Sequence, residues 1–340
     1  MTLRAHANVS ELVAQTLEME MDRDPRTILL GEDVGYSGGT FGASRRLYRR
    51  FGEWRVRDTP ISEMGFVGAA VGAACTGLRP VVEIMFIEFL GVALDQLSTQ
   101  AAKFHYLSGG KVEVPMVVRA SVGAGLGFGA QHSQTLETWM FATPGLKLVV
   151  PSNPQNAYGL IRSAIRDPNP VVVLEPRILY STRGDVVTGD DQVIPIGVAD
   201  LVAAGGDVTI VSLGAMVRTV LEAVEQADWS ADVIDLRTLA PWDTETILAS
   251  VAGTGRLVLV EEAPRSGGWG TEIAAHVAGE GFRHLTAPIT RITCPDVPVP
   301  YGKDLEFKFL PSADYVVAQV DELLTTGSHP APWWVTEGFR

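Results

Sequence analysis

The chain has 340 residues, 46% of them hydrophobic and 20% charged, and its 27 basic against 40 acidic side chains give a formal charge of −13. This length suits two domains with full cores, and this composition excludes a disordered chain. The acidic balance argues against nucleic acid as a partner, because phosphate contacts need clustered Lys and Arg, and the densest basic run, Arg45 to Arg50, is short. That run reads as a helix surface or a face for an acidic partner. In chain order, the helical pattern SELVAQTLEMEMDRD comes first, then the strand TILLG at 27 to 31. The glycine- and alanine-rich segment after Glu63 follows as a helix, then the strand RPVVEIMF (79 to 86) and the helix GVALDQLSTQAAKFHYL. VPMVVRAS (114 to 121), LKLVVPS (146 to 152), the helix NAYGLIRSAIRD and PVVVLEP (170 to 176) complete a first set.

Residues 177 to 200 interrupt this alternation with arginines, glycines and acids. It then resumes with the strands DVTIVSLG, DVIDLRT, RLVLVEE and ITRIT and a last helix, DYVVAQVDELL. Several strands are almost continuously apolar, as strands covered on both faces must be, so the expected fold is α/β with mostly parallel sheets flanked by helices. The expected domains are 1–190 and 191–325, followed by a tail, 326–340, with Trp333 and Trp334. The tail cannot form a core of its own, so it is either mobile or packed on another surface. No run reaches the roughly 20 apolar residues of a membrane span. The N-terminal stretch lacks a signal-peptide core and is too acidic for a targeting helix. Cys75 and Cys294 stand in no metal or redox spacing, which implies a reducing, cytoplasmic setting.

Several stretches carry candidate chemistry. Gly31-Glu32-Asp33-Val34-Gly35 places two carboxylates just past a strand, and the plain alternative is an exposed turn. In Asp58-Thr-Pro-Ile-Ser-Glu-Met-Gly-Phe66, Ser62 is a candidate N-cap and Glu63 a first-turn acid stabilised by the free N–H groups of a helix. A structural role and a functional carboxylate are both open there, but neither accounts for Gly65, Gly68, Gly72 and Gly77 in the same segment. So many small residues in a helix suggest the close approach of another backbone or a flat ligand. Gly125-Leu-Gly-Phe-Gly-Ala130 fits a relaxed GxGxxA dinucleotide pattern but lacks the acidic residue about 20 positions on. It reads better as a tight turn that aims His132, in Gln131-His-Ser-Gln134, from a strand end. Ser133 has no GxSxG elbow around it, so a serine hydrolase is disfavoured.

Taken together, LLGEDVGYSGGTF, RVRDTPISEMGFVGAAVGAACTGLRPVVEI, AAKFHYLSGG, QHSQ, PGLKLVVPS, SAIRDPNPVVVLEP, VIDLRTLAPWDTETI and APITRITCPDVPVPY resemble the beta subunits of thiamine-diphosphate-dependent 2-oxo acid dehydrogenases. This group comprises the pyruvate, branched-chain and acetoin enzymes. The resemblance spans residues 5 to 323 and implies a transketolase-like pyrimidine-binding domain followed by a transketolase C-terminal domain. It also implies an α2β2 heterotetramer whose alpha chain holds the diphosphate and magnesium through a GDG motif, which this sequence lacks. By the same resemblance Glu63 hydrogen-bonds the cofactor's aminopyrimidine, Glu32 lies near it, Phe89 flanks the ring and His132 assists acyl transfer to a lipoyl group. Met116, Ala164, Ile165, Asp167 and Asn169 match the positions of a structural potassium ion in some relatives.

The implied reaction is decarboxylation of pyruvate or a branched-chain 2-oxo acid and transfer of the acyl unit to lipoamide, with a lipoyl-bearing acyltransferase as a further partner. Three alternatives accompany it. One is an acetoin-cleaving or carboligating enzyme without a lipoyl carrier, another a non-catalytic assembly subunit, and the last a dinucleotide dehydrogenase.

Overall fold

Residues 3–336 are described by a computed structural model, in which the chain forms two compact units. The first contains the chain up to Val122, Trp139–Ile196 and Thr238–Pro241, and the second contains Gly123–Thr138, Gly197–Arg237 and the chain from Trp242 onward. Each short exchange carries a segment read from sequence as part of the other domain. Among the described residues no helix is long and apolar enough to cross a membrane.

Fourteen strands are described: β1 (Leu3–Asn8), β2 (Thr27–Gly31), β3 (Val56–Asp58), β4 (Arg79–Ile84), β5 (Val117–Val122), β6 (Lys147–Val149), β7 (Val171–Pro176), β8 (Arg183–Thr188), β9 (Asp200–Ala203), β10 (Val208–Ser212), β11 (Ala231–Asp235), β12 (Thr238–Ala240), β13 (Leu257–Pro264) and β14 (Thr290–Cys294). In the first unit seven strands run in the order β12-β6-β7-β5-β4-β2-β3. All are parallel except β12, which pairs antiparallel with β6. The central strands β4, β5 and β7 are buried almost end to end, which is why their sequences read as continuous apolar runs. The second unit carries β14-β13-β10-β11-β9, with β9 antiparallel at one edge. Every strand expected from sequence forms. The unexpected ones are three- or four-residue edge strands, β3, β9 and β12, and the separate antiparallel pair of β1 with β8. Such strands lack the long apolar signal of a doubly covered position.

The first helix, Val9–Arg23, starts at a capping box in which Asn8 Oδ1 accepts from the Glu11 N–H at 2.8 Å and Glu11 Oε2 accepts from the Asn8 N–H at 3.1 Å. The single helix expected over 91 to 107 is instead two α-helical pieces, Leu90–Asp95 and Ala102–Leu107, joined by a π-helical turn, Gln96–Ala101. The tail packs within the second unit. The Trp333 N–H donates to Tyr315 Oη at 3.2 Å, Gln319 Nε2 donates to the Ala331 carbonyl at 3.3 Å, and Lys308 lies 4.9 Å from the Trp333 ring centroid. The last four tail positions, 337 to 340, lie outside the described residues.

Candidate active site

In the first unit β3, β2 and β4 are parallel neighbours, so the residues following each strand emerge at one edge of the sheet, where α/β folds place their ligands. Glu32 follows β2 directly. Asp58 ends β3 and leads to Glu63, the first residue of helix Glu63–Cys75. Phe89 closes a 3-10 turn, Ile87–Phe89, just after β4. The Thr59 N–H donates to the Gly31 carbonyl at 3.0 Å, which carries the β2–β3 pairing up to this edge. A Cβ on Gly31 would lie 2.7 Å from the Glu83 carbonyl oxygen, so the strand end admits glycine alone. The Asp58 carboxylate then accepts from the N–H groups of Gly35 at 2.6 Å and Tyr36 at 3.3 Å. It thereby ties the loop bearing Glu32 to the segment bearing Glu63.

Ser62 occupies the N-cap position without capping, because its hydroxyl donates to the Pro60 carbonyl at 3.2 Å. Glu63 is 7% exposed at that helix start. The Glu32 carboxyl is pushed above the usual range, first by burial and then by the negative charges of Glu63 and Asp33, against a smaller opposing effect of the Ser62 N–H. Its Oε1 is buried without a hydrogen-bond partner. A buried, unmet carboxylate oxygen beside a second acid is costly to keep unless a ligand meets it. Phe89 meets Phe86 edge-on at 5.9 Å between centroids, and Arg177 lies 4.6 Å from the Phe86 ring. Beneath this edge, buried Arg119 on β5 joins Glu83 on β4 (2.9 Å) and Glu175 on β7 (2.6 and 2.8 Å). Tyr180 donates to the same Glu175 at 2.6 Å.

His132 belongs to the second unit, within the loop that follows β5. Gly123, Gly125, Gly127 and Gly129 there all have positive φ, from 72° to 98°. Alternating conformations of this kind turn successive N–H groups inward to form an anion-binding nest. The nest is already filled. Gly125 and Gly127 donate to the two carboxylate oxygens of Glu306, at 2.9 and 2.8 Å, and Ala124 donates to Glu262 Oε1 at 2.6 Å. The donors that a pyrophosphate would need are therefore occupied by internal carboxylates, which is the physical case against the dinucleotide alternative.

The five residues matched to a cation site gather at the opposite edge of the first unit's sheet. Met116 precedes β5, and Ala164, Ile165, Asp167 and Asn169 lie at and beyond the C-terminal end of helix Pro154–Arg166. Arg79 Nη1 donates to the carbonyls of Ile165 at 2.8 Å and Asp167 at 3.2 Å. The Asp167 side chain accepts from Lys147 Nζ at 2.5 Å and from Asn169 Nδ2 at 2.9 Å. Among the described residues no group of three or more His, Cys, Asp and Glu side chains is placed to hold a metal.

Comparison with known proteins finds two family models that follow one another along the chain. Residues 5–182 match the transketolase pyrimidine-binding domain and residues 197–316 the transketolase C-terminal domain. The chain is 46% identical over 323 residues to the mitochondrial pyruvate dehydrogenase E1 component subunit beta of Caenorhabditis elegans, covering 93% of this chain and 92% of that one. It is 44% identical over 330 residues to the beta subunit of acetoin:2,6-dichlorophenolindophenol oxidoreductase of Cupriavidus necator (93% and 97% covered). It is 40% identical over 311 residues to the 2-oxoisovalerate dehydrogenase subunit beta of Bacillus subtilis (90% and 95% covered). The chain belongs to this family of 2-oxo acid and acetoin dehydrogenase E1 beta subunits. It is an enzyme subunit of oxidoreductase type, and membership implies thiamine diphosphate as cofactor. A solved split-gene transketolase, described as an inactive beta4 tetramer, shares the fold with a TM-score of 0.76 at 24% identity, covering 94% of this chain and 98% of that one.

Sequence reasoning did not find Asp58, Glu262 or Glu306. For Glu262 a signal existed, two acids closing the apolar strand RLVLVEE. Glu306, in YGKDLEFKF, looks like any surface acid, and its burial at 1% exposure follows from tertiary placement alone.

Proposed function

We propose that this beta-type chain supplies half of an active site that decarboxylates a 2-oxo acid, pyruvate or a branched-chain relative, and passes the acyl unit to lipoamide. The observation that carries this reading is the pair of Glu32, just past β2, and Glu63, at the helix start reached from neighbouring β3, with one buried oxygen of Glu32 unmet. Such a pair suits a bound aminopyrimidine, whose ring nitrogen needs a carboxyl that shares a proton away from water. When bound, thiamine diphosphate supplies a carbon nucleophile and an electron sink. Glu63 holds the shared proton at its carboxylate, and Glu32 keeps a second acid beside it. Phe89 gives the ring an apolar neighbour. His132 moves a proton during acyl transfer.

The diphosphate and its magnesium fall to an alpha chain in an α2β2 assembly, which is supported by a glycine nest already filled with Glu306. A partner face is available on helix Glu63–Cys75, where Met64, Gly65, Ala69 and Gly72 are exposed. A Cβ on Gly72 would meet nothing within 4 Å, which leaves room there for the close approach of a second backbone. A lipoyl-bearing acyltransferase is the further partner, and the cytoplasm, where free Cys75 and Cys294 stay reduced, is the compartment. Potassium at the Met116, Ala164, Ile165, Asp167 and Asn169 corner would bind to carbonyls at a helix C-terminus, which favour positive charge. It would share the Ile165 and Asp167 oxygens with Arg79.

The 44% identity to an acetoin:dichlorophenolindophenol oxidoreductase subunit favours one second reading, acetoin cleavage with the electrons passed to a dye or another acceptor that is not a lipoyl group. Co-expression with the alpha chain of its host, then assay of pyruvate, 3-methyl-2-oxobutanoate and acetoin with either lipoamide or dichlorophenolindophenol, separates the two. Lipoamide-dependent decarboxylation of a 2-oxo acid is expected. Turnover of acetoin alone would establish the second reading, and no turnover of any substrate by an assembled, cofactor-loaded complex would make the chain an assembly subunit.

A further inference from the structure

Between β5 and the helix Glu137–Phe141 lies GAGLGFGAQHSQTL, whose four positive-φ glycines give it an unusually large choice of conformations when unfolded. Two acids outside the loop help to hold it in one of them. Glu306, buried at 1% exposure in the helix Lys303–Phe309, takes the Gly125 and Gly127 N–H groups one on each oxygen. Glu262, near the end of β13, takes the Ala124 N–H at 2.6 Å and, through its backbone carbonyl, the Thr135 hydroxyl at 3.5 Å. These contacts grip the loop on both sides of His132. Nearer the histidine, the His132 N–H donates to the Gly129 carbonyl at 3.2 Å, and a Cβ on Gly129 would lie 2.9 Å from the Tyr301 ring, so Gly129 is fixed by shape. At the loop's two ends the Gly123 N–H donates to the Gln134 carbonyl at 3.2 Å.

We propose that Glu306, assisted by Glu262, is a positioning residue for His132: its carboxylate fills the loop's N–H nest as a built-in anion and sets the loop conformation from which the imidazole acts. An external anion in a nest comes and goes with its concentration, whereas a side-chain carboxylate is always present. The histidine's position is therefore independent of ligand. The arrangement also explains why a glycine pattern resembling a dinucleotide loop occurs in a chain that needs none of that pattern's usual ligand.

The proposal rests on the assignment of His132 to acyl transfer, and the test keeps the two separable. In the assembled alpha–beta enzyme, Glu306→Ala, Glu306→Gln, Glu262→Gln and His132→Ala are compared by amide hydrogen exchange over residues 124–132. The same proteins are assayed for turnover with lipoamide and with a dye acceptor that bypasses acyl transfer. Glu306→Ala is expected to speed exchange across the loop and to lower lipoamide-linked turnover on the order of tenfold to a hundredfold, with dye-linked turnover nearly unchanged. Glu306→Gln, which keeps an acceptor for one of the two N–H groups but turns an NH2 donor toward the other, restores only part of that loss. Unchanged loop exchange in both Glu306→Ala and Glu262→Gln overturns the proposal, as does an equal fall in both assays. If His132→Ala leaves both assays intact while Glu306→Ala still loosens the loop, the acyl-transfer role fails and the positioning of His132 stands.

Discussion

The two halves of the candidate machinery solve opposite problems. The strand-end site of the first unit is left incomplete: Glu32 keeps a buried oxygen unmet and a raised affinity for its proton, beside a second acid, Glu63. The loop of the second unit is complete, with its inward N–H groups met by Glu262 and Glu306. An unmet oxygen at a strand-end cleft leaves a place for a ligand, whereas amides met by internal carboxylates hold the protein's own loop. A site can therefore be read from what it lacks as well as from what it holds.

The sharpest test of the incomplete half is Glu63→Gln. If its carboxylate shares the proton, loss of that function should lower cofactor-dependent turnover of the assembled enzyme by roughly 10²–10⁴-fold while leaving assembly intact. Turnover within a factor of two of the parent would remove Glu63 from the chemistry and return it to the helix-start role its sequence also permits.

The rigidity under this edge comes from Arg119, which is 1% exposed and pairs with Glu83 and Glu175 across three neighbouring strands. Replacing it with methionine strands two buried carboxylates, a change typically costing about 3–5 kcal/mol. Chemical denaturation of the Arg119→Met chain should expose that loss. If stability is instead retained, the acids have found other partners and the floor of the site is less tightly built than its geometry suggests.

How much of this was legible beforehand follows the physics of each feature. The buried strands announced themselves because a strand covered on both faces must be apolar throughout, as in PVVVLEP and RLVLVEE. Glu32 and His132 were found because each follows such a strand end, and Glu63 because it opens a helix crowded with small residues. Edge strands such as Val56–Asp58 and Thr238–Ala240 were not, since their short sequences carry no period. Neither was the π-helical turn Gln96–Ala101, whose residues fit an ordinary helix equally well. Glu306 escaped for a different reason: its meaning depends on amides some 180 positions away in sequence.

The complete half has its own weak point at Glu137. This carboxyl is 6% exposed, one oxygen has no partner, and burial pushes its pKa up to about 8, with the negative charges of Glu262 and Glu261 adding to the effect. Because the folded state holds this proton more tightly than the unfolded chain does, its contribution is undiminished below about 4.5 and is lost as pH rises through about 8. Glu137→Gln, which mimics the protonated form, should leave thermal stability near pH 5 almost unchanged. By pH 9 it should stabilise the chain by on the order of a few kcal/mol. A variant whose advantage is flat with pH would mean that Glu137 meets its charge through contacts that open water to it.

The smallest expected effect returns to the incomplete half. Glu32 also holds its proton more tightly when folded, by burial and by the charges of Glu63 and Asp33, so it too lowers stability as pH rises above the ordinary carboxylate range. Its half-exposed position screens the repulsion, which keeps the effect well below that of Glu137. In the chain without cofactor, Glu32→Gln should therefore give a slight gain in melting temperature that grows from acid to neutral pH. Once thiamine diphosphate and the alpha chain are bound, the same substitution should turn from gain to loss, because the unmet oxygen then has a ligand to lose. A gain that persists in the loaded complex would place the cofactor's ring away from Glu32 and leave Glu63 as the sole acid at that edge.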